Sequence, residues 1–324
     1  MKLRQLFQFR LRTLLIVMVP AAFLLAVLGH QIHESRRQRA VVAALEADGF
    51  VVDLPSGFDF TRSPDWLDTH YLERACYVGA GYTNIADLTR LAELKNVEVV
   101  DLNLTQVSDL SPLAELEMLR TLYLDGTPIS DLSPLADLKN LEELDLAWTQ
   151  TSDLSPLAGL TNMQTLDLDG TWVSDLSPLA GLKNLQKLSV SKRFHREENM
   201  IWQVSDLSPL AGLKNLEVLD LSCNPVSDLS PLSELNELRW LDLDATQVND
   251  LAPLANLNNL DFLALPVTPG MDLSPLAELK QLRTLKLIGN QSVDLSPLER
   301  LTELEIGYFE RESHRRLDAP IKRD

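Results

Sequence analysis

Cysteine is nearly absent: the 324 residues contain only Cys76 and Cys223. No CxxC pair or even-numbered framework exists, so neither end of the chain can be stapled by a disulfide of its own. Both cysteines are read as small buried hydrophobes. Glycine (13) and proline (17) are too scarce for a disordered or low-complexity chain. No G-x-S-x-G, phosphate-binding Walker loop, H-E-x-x-H or dinucleotide glycine fingerprint occurs. The histidines (His30, His33, His70, His195, His314) are scattered, and His195 with Glu198 lacks a third ligand at metal-binding spacing. The chain is therefore read as non-enzymatic, with no cofactor and no metal.

Positive charge is missing from most of the chain. Residues 1–39 hold seven Lys/Arg and one acid, a balance of +6, so the total of −18 leaves −24 on residues 40–324. An acidic body of this kind excludes nucleic acid as the expected partner, because phosphate backbones need a positive surface. It favours basic partners at low salt.

What is present begins with an apolar run. No formal charge occurs from Thr13 to His33, and Leu14–Gly29 reads LLIVMVPAAFLLAVLG. About 20 residues span hydrocarbon, and Pro20 is tolerable in such a helix. Residues 13–33 are expected to form a transmembrane helix or signal anchor behind a basic stub at 1–12. Cleavage near Val27-Leu28-Gly29 is the rival reading. Four basic residues precede the run and three follow it, which tilts the acidic body to the extracytoplasmic side. Residues 34–84 are assigned to a stalk and N-terminal cap, with a helix over Arg36–Phe50 and a strand over Phe50–Leu54.

Internal repetition decides the fold. Asp-Leu recurs at Asp87, Asp109, Asp131, Asp153, Asp175, Asp206, Asp228, Asp250, Asp272 and Asp294, at intervals of 22 except for one of 31. Ser108–Ile129 (SDLSPLAELEMLRTLYLDGTPI) is a good copy. Alternation in Leu122-Tyr-Leu124 marks a short strand with inward leucines. Ser111-Pro112 suits a short helical turn, with Ser as N-cap and Pro in the first turn. No single unit can bury Leu110, Leu113 and Leu116; stacked units share one core and one parallel sheet. Thr105, Thr127, Thr149, Thr171, Asn224, Thr246, Thr268 and Asn290 fall where a polar ladder can satisfy loop backbone. A degenerate copy at Ala75, Val78, Ala80, Thr83 and Ile85 comes first. About ten repeats fill 85–304, and 305–324 reads as a C-terminal cap and tail.

The unit resembles the leucine-rich repeat of internalin-type bacterial surface proteins, and also the repeats of a eukaryotic phosphatase regulatory subunit. The resemblance covers about Asp87 to Leu304. It implies a leucine-rich-repeat horseshoe, an α/β solenoid with a parallel concave β-sheet and short helical or 3-10 turns on the convex side. Such a solenoid binds proteins on its concave face. Thr mostly replaces the usual Asn, and no cell-wall sorting motif or immunoglobulin-like domain follows the repeats. Internalin partners and wall attachment are therefore not carried over. The N-terminal anchor plus repeats also resembles membrane-anchored bacterial repeat proteins.

Residues between the inward leucines point to the concave face. They form one acidic column at Asp101, Asp145, Asp167, Asp220 and Asp242, and a second at Asp125, Asp169 and Asp244. Tyr123, Trp240 and Phe262 are placed in a neighbouring column, with Trp148 and Trp172 in the following loops. The unit from Ser174 to Val204 carries an insertion at 192–202, KRFHREENMIW, whose Phe194 and Trp202 are further candidates for recognition. The function expected is a binding module on a membrane whose protein partner has a basic or mixed surface. The alternatives are a rigid spacer without a ligand, in which the Asp columns are only copied consensus, and an enzyme whose pocket would lie within Phe50–Tyr82.

Overall fold

A computed structural model of the chain describes residues 36–37, 40–53, 77–192, 203–289 and 292–309. Among them runs a twelve-stranded sheet whose spatial order is the chain order. Its strands are β1 (Val51–Asp53), β2 (Tyr77–Gly79), β3 (Val99–Asp101), β4 (Thr121–Tyr123), β5 (Glu143–Asp145) and β6 (Thr165–Asp167). There follow β7 (Lys187–Ser189), β8 (Val218–Asp220), β9 (Trp240–Asp242), β10 (Phe262–Pro266), β11 (Thr284–Ile288) and β12 (Glu305–Phe309). Only β1–β2 is antiparallel; every later pair is parallel and in register, as in Leu122↔Leu144 and Leu144↔Leu166.

Strands β3–β6 and β8 each place one leucine or valine inward between two partly exposed residues, the pattern seen at Thr121-Leu122-Tyr123. Leu110, Leu113, Leu116, Leu119, Leu122 and Leu124 of one unit are all buried, and their counterparts continue a single core along the array. Removing such side chains from water stabilises by roughly 1.5–3 kcal/mol each. The next coil does the covering, so no unit is stable alone.

Across the core from the sheet, the units make 3-10 turns, as at Ser111–Leu113 and Ser155–Leu157, with Pro in the first turn of all but the first of them, Leu91–Glu93. The Ser N-cap expectation is corrected here. The residue before the turn is Leu110, with no side-chain cap, and Ser111 is the first residue of the turn. The capping role falls to the repeat's aspartate, because a carboxylate two residues upstream reaches the free N–H. Asp109 Oδ1 accepts the Ser111 N–H at 2.8 Å, and Asp131, Asp153, Asp175, Asp206, Asp228 and Asp272 do the same for Ser133, Ser155, Ser177, Ser208, Ser230 and Ser274. These bonds hold the Asp109 and Asp153 carboxyls below the usual carboxylate range, with the serine hydroxyl contributing first and the backbone N–H second.

The threonine ladder is present. Thr105, Thr127, Thr149, Thr171 and Thr246 are buried, and each hydroxyl donates to the carbonyl three residues earlier, at 2.6–2.8 Å. Asn224 goes further, donating to Val190 O of the preceding coil and accepting the Val204 N–H. Thr268 departs, donating to Asn249 Oδ1, and Asn290 lies outside the described residues. A second ladder was not anticipated: Asn140, Asn162, Asn184, Asn215 and Asn259 donate to a carbonyl of the previous unit at 2.8–2.9 Å.

At the N-terminal end a helix over 40–47 stops where Gly49 takes φ +97°. Val41, Val42, Leu45 and Phe50 join the repeat core, and Arg90 pairs with Asp48, so the first coil is covered. Thr83 bonds Ala80 O at 2.6 Å, which marks the degenerate copy as a true coil. No helix among the described residues is long and apolar enough to cross a membrane; the expected membrane segment at 13–33 lies outside them. The Phe194 and Trp202 candidates and Cys76 also lie outside them. Cys223 is not buried as expected. It is half-exposed at φ +60°, because it occupies the turn that closes the strand.

Candidate functional site

The site expected from sequence is the outer face of the sheet. In-register pairing stacks the third residue of each short strand into one column: Asp101, Tyr123, Asp145, Asp167, Ser189, Asp220 and Asp242. Tyr123 thus stands inside the aspartate column and not beside it, because it ends its strand whereas Trp240 and Phe262 begin theirs. Two residues further along lie Asp125, Ala147, Asp169, Ser191, Ser222 and Asp244. Aspartate therefore recurs with interruptions, and its environment differs from coil to coil.

The carboxylates concentrate across β4–β6. Asp145 and Asp167 are strand neighbours, and Asp125 and Asp169 flank buried Ala147 in the next row. Burial raises the Asp167 carboxyl to about 7, with repulsion from Asp169, Asp145 and Asp125 adding to it. Burial likewise raises Asp145, which also feels Asp125, Asp169 and Glu143. Asp125 is raised by burial, and its Oδ1 accepts no hydrogen bond. Backbone N–H groups offset part of this: Ala147 donates to Asp145 Oδ1 and Asp169 to Asp167 Oδ1, both at 2.9 Å. Tyr123 is pushed up by burial first, then by Glu143, Asp101 and Asp145.

Away from this cluster the candidates differ. Asp101 Oδ2 accepts the Tyr77 hydroxyl at 3.2 Å, and Asp220 Oδ1 accepts the Ser222 N–H at 2.8 Å. Asp242 and Asp244 are buried, 4% and 7% exposed, with the Asp244 N–H on Asp242 Oδ1 at 2.8 Å. They present little of themselves for contact. Trp240 stacks on Phe262, ring centroids 4.9 Å apart at 9°.

The loop after each strand explains Trp148. One loop residue takes positive φ after β2–β6, β8 and β9: Tyr82 +64°, Leu104 +56°, Gly126 +66°, Trp148 +57°, Gly170 +65°, Cys223 +60° and Ala245 +55°. That conformation is unfavourable for residues with a Cβ. It is held at Leu104, Gly126, Trp148, Gly170 and Cys223 because the N–H extends the ladder to the next coil, as from Trp148 to Asp169 O at 2.7 Å and from Leu104 to Asp125 O at 2.6 Å. Large residues alternate with glycine here. The Trp148 ring lies over Gly170, where a Cβ would come within 2.7–2.9 Å of it. Trp148 is 40% exposed, in the row next to the one that holds Asp169.

Sequence reasoning missed Lys192, the one described residue of the insertion's start. It is 4% exposed, its Nζ donates to Thr171 O, and burial lowers it to about 8 against the pull of Asp169. The 22-step count would have placed it one coil from Gly170, but nothing in the sequence signals its burial. Among the described residues no group of three or more His, Cys, Asp or Glu is arranged to hold a metal ion.

The family model for leucine-rich repeats (two copies) matches residues 117–159 and 203–234. The crystal structure of internalin C2 from Listeria monocytogenes is 38% identical, covering 61% of this chain and 81% of that one, with a TM-score of 0.55. The chain belongs to the internalin-type leucine-rich-repeat family. A second internalin structure from that organism is 25% identical over 71% of this chain and 86% of its own, at TM-score 0.54. A Leptospira interrogans leucine-rich-repeat protein shares the fold, at 23% identity, 70% and 58% coverage and TM-score 0.59. No curated protein matches the chain. Leucine-rich-repeat arrays are in general protein-binding modules, and a solenoid's extended sheet is the surface they use.

Proposed function

We propose that this chain is a non-enzymatic module, displayed on a membrane by residues 13–33 with the repeats on the extracytoplasmic side. It holds a protein partner of basic or mixed surface on the concave face of its sheet. The centre of contact is the β4–β6 cluster, where Asp125, Asp145, Asp167 and Asp169 surround Trp148 and Tyr123. Asp101 and Asp220 extend the acidic strip to either side, and Asp242, Asp244 and Trp240 lie at the strip's far end. Phe194 and Trp202 of the insertion serve as a clamp along one edge. Neither nucleic acid nor a cofactor takes part.

The observation that carries this reading is the crowding of four carboxylates, with the Asp167 carboxyl pushed up to about 7 by burial and by its neighbours. A cationic side chain docked among them relieves that repulsion, and the Trp148 face adds a cation–π contact of about 0.5–2 kcal/mol. The rival account is copying of a consensus, in which each strand aspartate recurs to accept the N–H two residues on. The test is crosslinking on intact cells with wild type, Asp145→Asn/Asp167→Asn and Trp148→Ala. A reproducible partner lost from both variants supports the reading. Capture unchanged in both overturns the site, and no reproducible partner at all favours a rigid spacer.

A further inference from the structure

The outer face changes character at β10. From β3 to β9 its two inner columns hold aspartate repeatedly, whereas over β10–β12 they read Ala264, Lys286 and Gly307, then Pro266, Ile288 and Phe309. No carboxylate occurs among these six, of which Ala264 and Pro266 are buried and the other four partly exposed. The Lys286 ammonium sits 4.9 Å from the Phe262 ring centroid and 5.6 Å from that of Phe309, and Phe262 is itself stacked on Trp240. Arg120, Lys214, Arg239 and Arg283 each pair with a carboxylate one unit away. Among the described residues no ion pair includes Lys286. A partly exposed cation braced by two rings, beside Ile288 and with no counter-ion among the described residues, matches a carboxylate set among apolar side chains.

We infer that the partner is polarised and binds in one orientation. Its basic segment lies over β4–β6, and an apolar segment bearing a carboxylate lies over β10–β12 with the carboxylate on Lys286. This deepens the acidic-face reading and rests on it. Five strand steps separate Asp167 from Lys286, about 24 Å along the sheet, which an extended peptide spans in about seven residues. Linking two weak contacts over a matched span raises affinity without new contacts at either end.

The test uses the full-length chain in detergent and three labelled peptides read by fluorescence anisotropy. One carries four arginines; one carries Leu-Phe-Asp; the third joins them through a seven-residue Gly/Ser spacer. The joined peptide is expected to bind at least about tenfold tighter than the arginine peptide. Lys286→Glu, and separately Lys286→Met, should abolish that gain while leaving the arginine peptide's affinity within about twofold. A joined peptide no tighter than the arginine peptide, or a gain that survives both substitutions, overturns the inference while the acidic-face reading stands. An arginine peptide indifferent to Asp145→Asn/Asp167→Asn overturns that reading and this inference with it.

Discussion

Replacing Asp167 by Asn isolates the electrostatic cost of the acidic cluster. The carboxyl's proton affinity rises from an ordinary 3.8 to about 7 on folding. Between those values the folded chain binds more proton at this site than the unfolded chain, so stability falls as pH rises through the window. The loss is complete above about 7. Three pKa units correspond to about 4 kcal/mol as an upper bound. Asp167 is only partly buried, and solvent screening reduces this to about 1–2 kcal/mol. Asparagine keeps the Oδ1 that accepts the Asp169 N–H, so the substitution removes charge and little else. Thermal unfolding followed by circular dichroism at pH 8 should show Tm up by about 2–8 °C for an array of this size. At pH 3, below both values, the difference should vanish. An equal gain at both pH values, or none at pH 8, refutes the argument that repulsion and burial of charge, and not packing, set the cost.

Other perturbations test other links. Lys192 runs opposite in sign to Asp167: with its folded value lowered to about 8, the unfolded chain binds more proton from about 8 to 10.5, so stability from this site rises across that window. Lys192→Met should flatten that part of the pH–stability curve. Gly170→Ala places a Cβ against the Trp148 ring at a positive φ, and should cost about 1–2 kcal/mol and shift the tryptophan emission. Thr149→Val removes the buried hydroxyl donor from Leu146 O, which keeps the Thr149 N–H, and should cost about 0.5–1.5 kcal/mol by denaturant unfolding. Leu144→Ala, in the fully buried column, should cost about 2–5 kcal/mol and make hydrogen exchange faster in β4–β6 than in β10–β12.

The regular interval between Asp-Leu pairs was sufficient to specify stacked coils, because aliphatic side chains at a fixed step can be buried only by the next copy. The parallel strands, the Pro-bearing turns and the threonine ladder follow from that step, and all were legible in the residues. Which side-chain oxygen caps the turn was not. Ser111 and Asp109 both offer one, and only the path of the backbone puts the Asp109 carboxylate in reach of the N–H.

The sheet face was legible as a set of residues but not as a site. Residue spacing placed Asp125, Asp145, Asp167 and Asp169 on one surface. Their burial, which lifts Asp167 to about 7 and leaves Asp125 Oδ1 without a donor, depends on what the neighbouring coils place around them. Asp242 and Asp244 look identical to these in sequence, yet are buried. Lys286 carries no sequence mark at all; three strands had to align before two phenylalanine rings came to flank it. Periodicity along the chain therefore determined which residues share a face. Only packing between coils decided which of them keep water, since desolvation depends on every neighbour in space and not on position in the repeat.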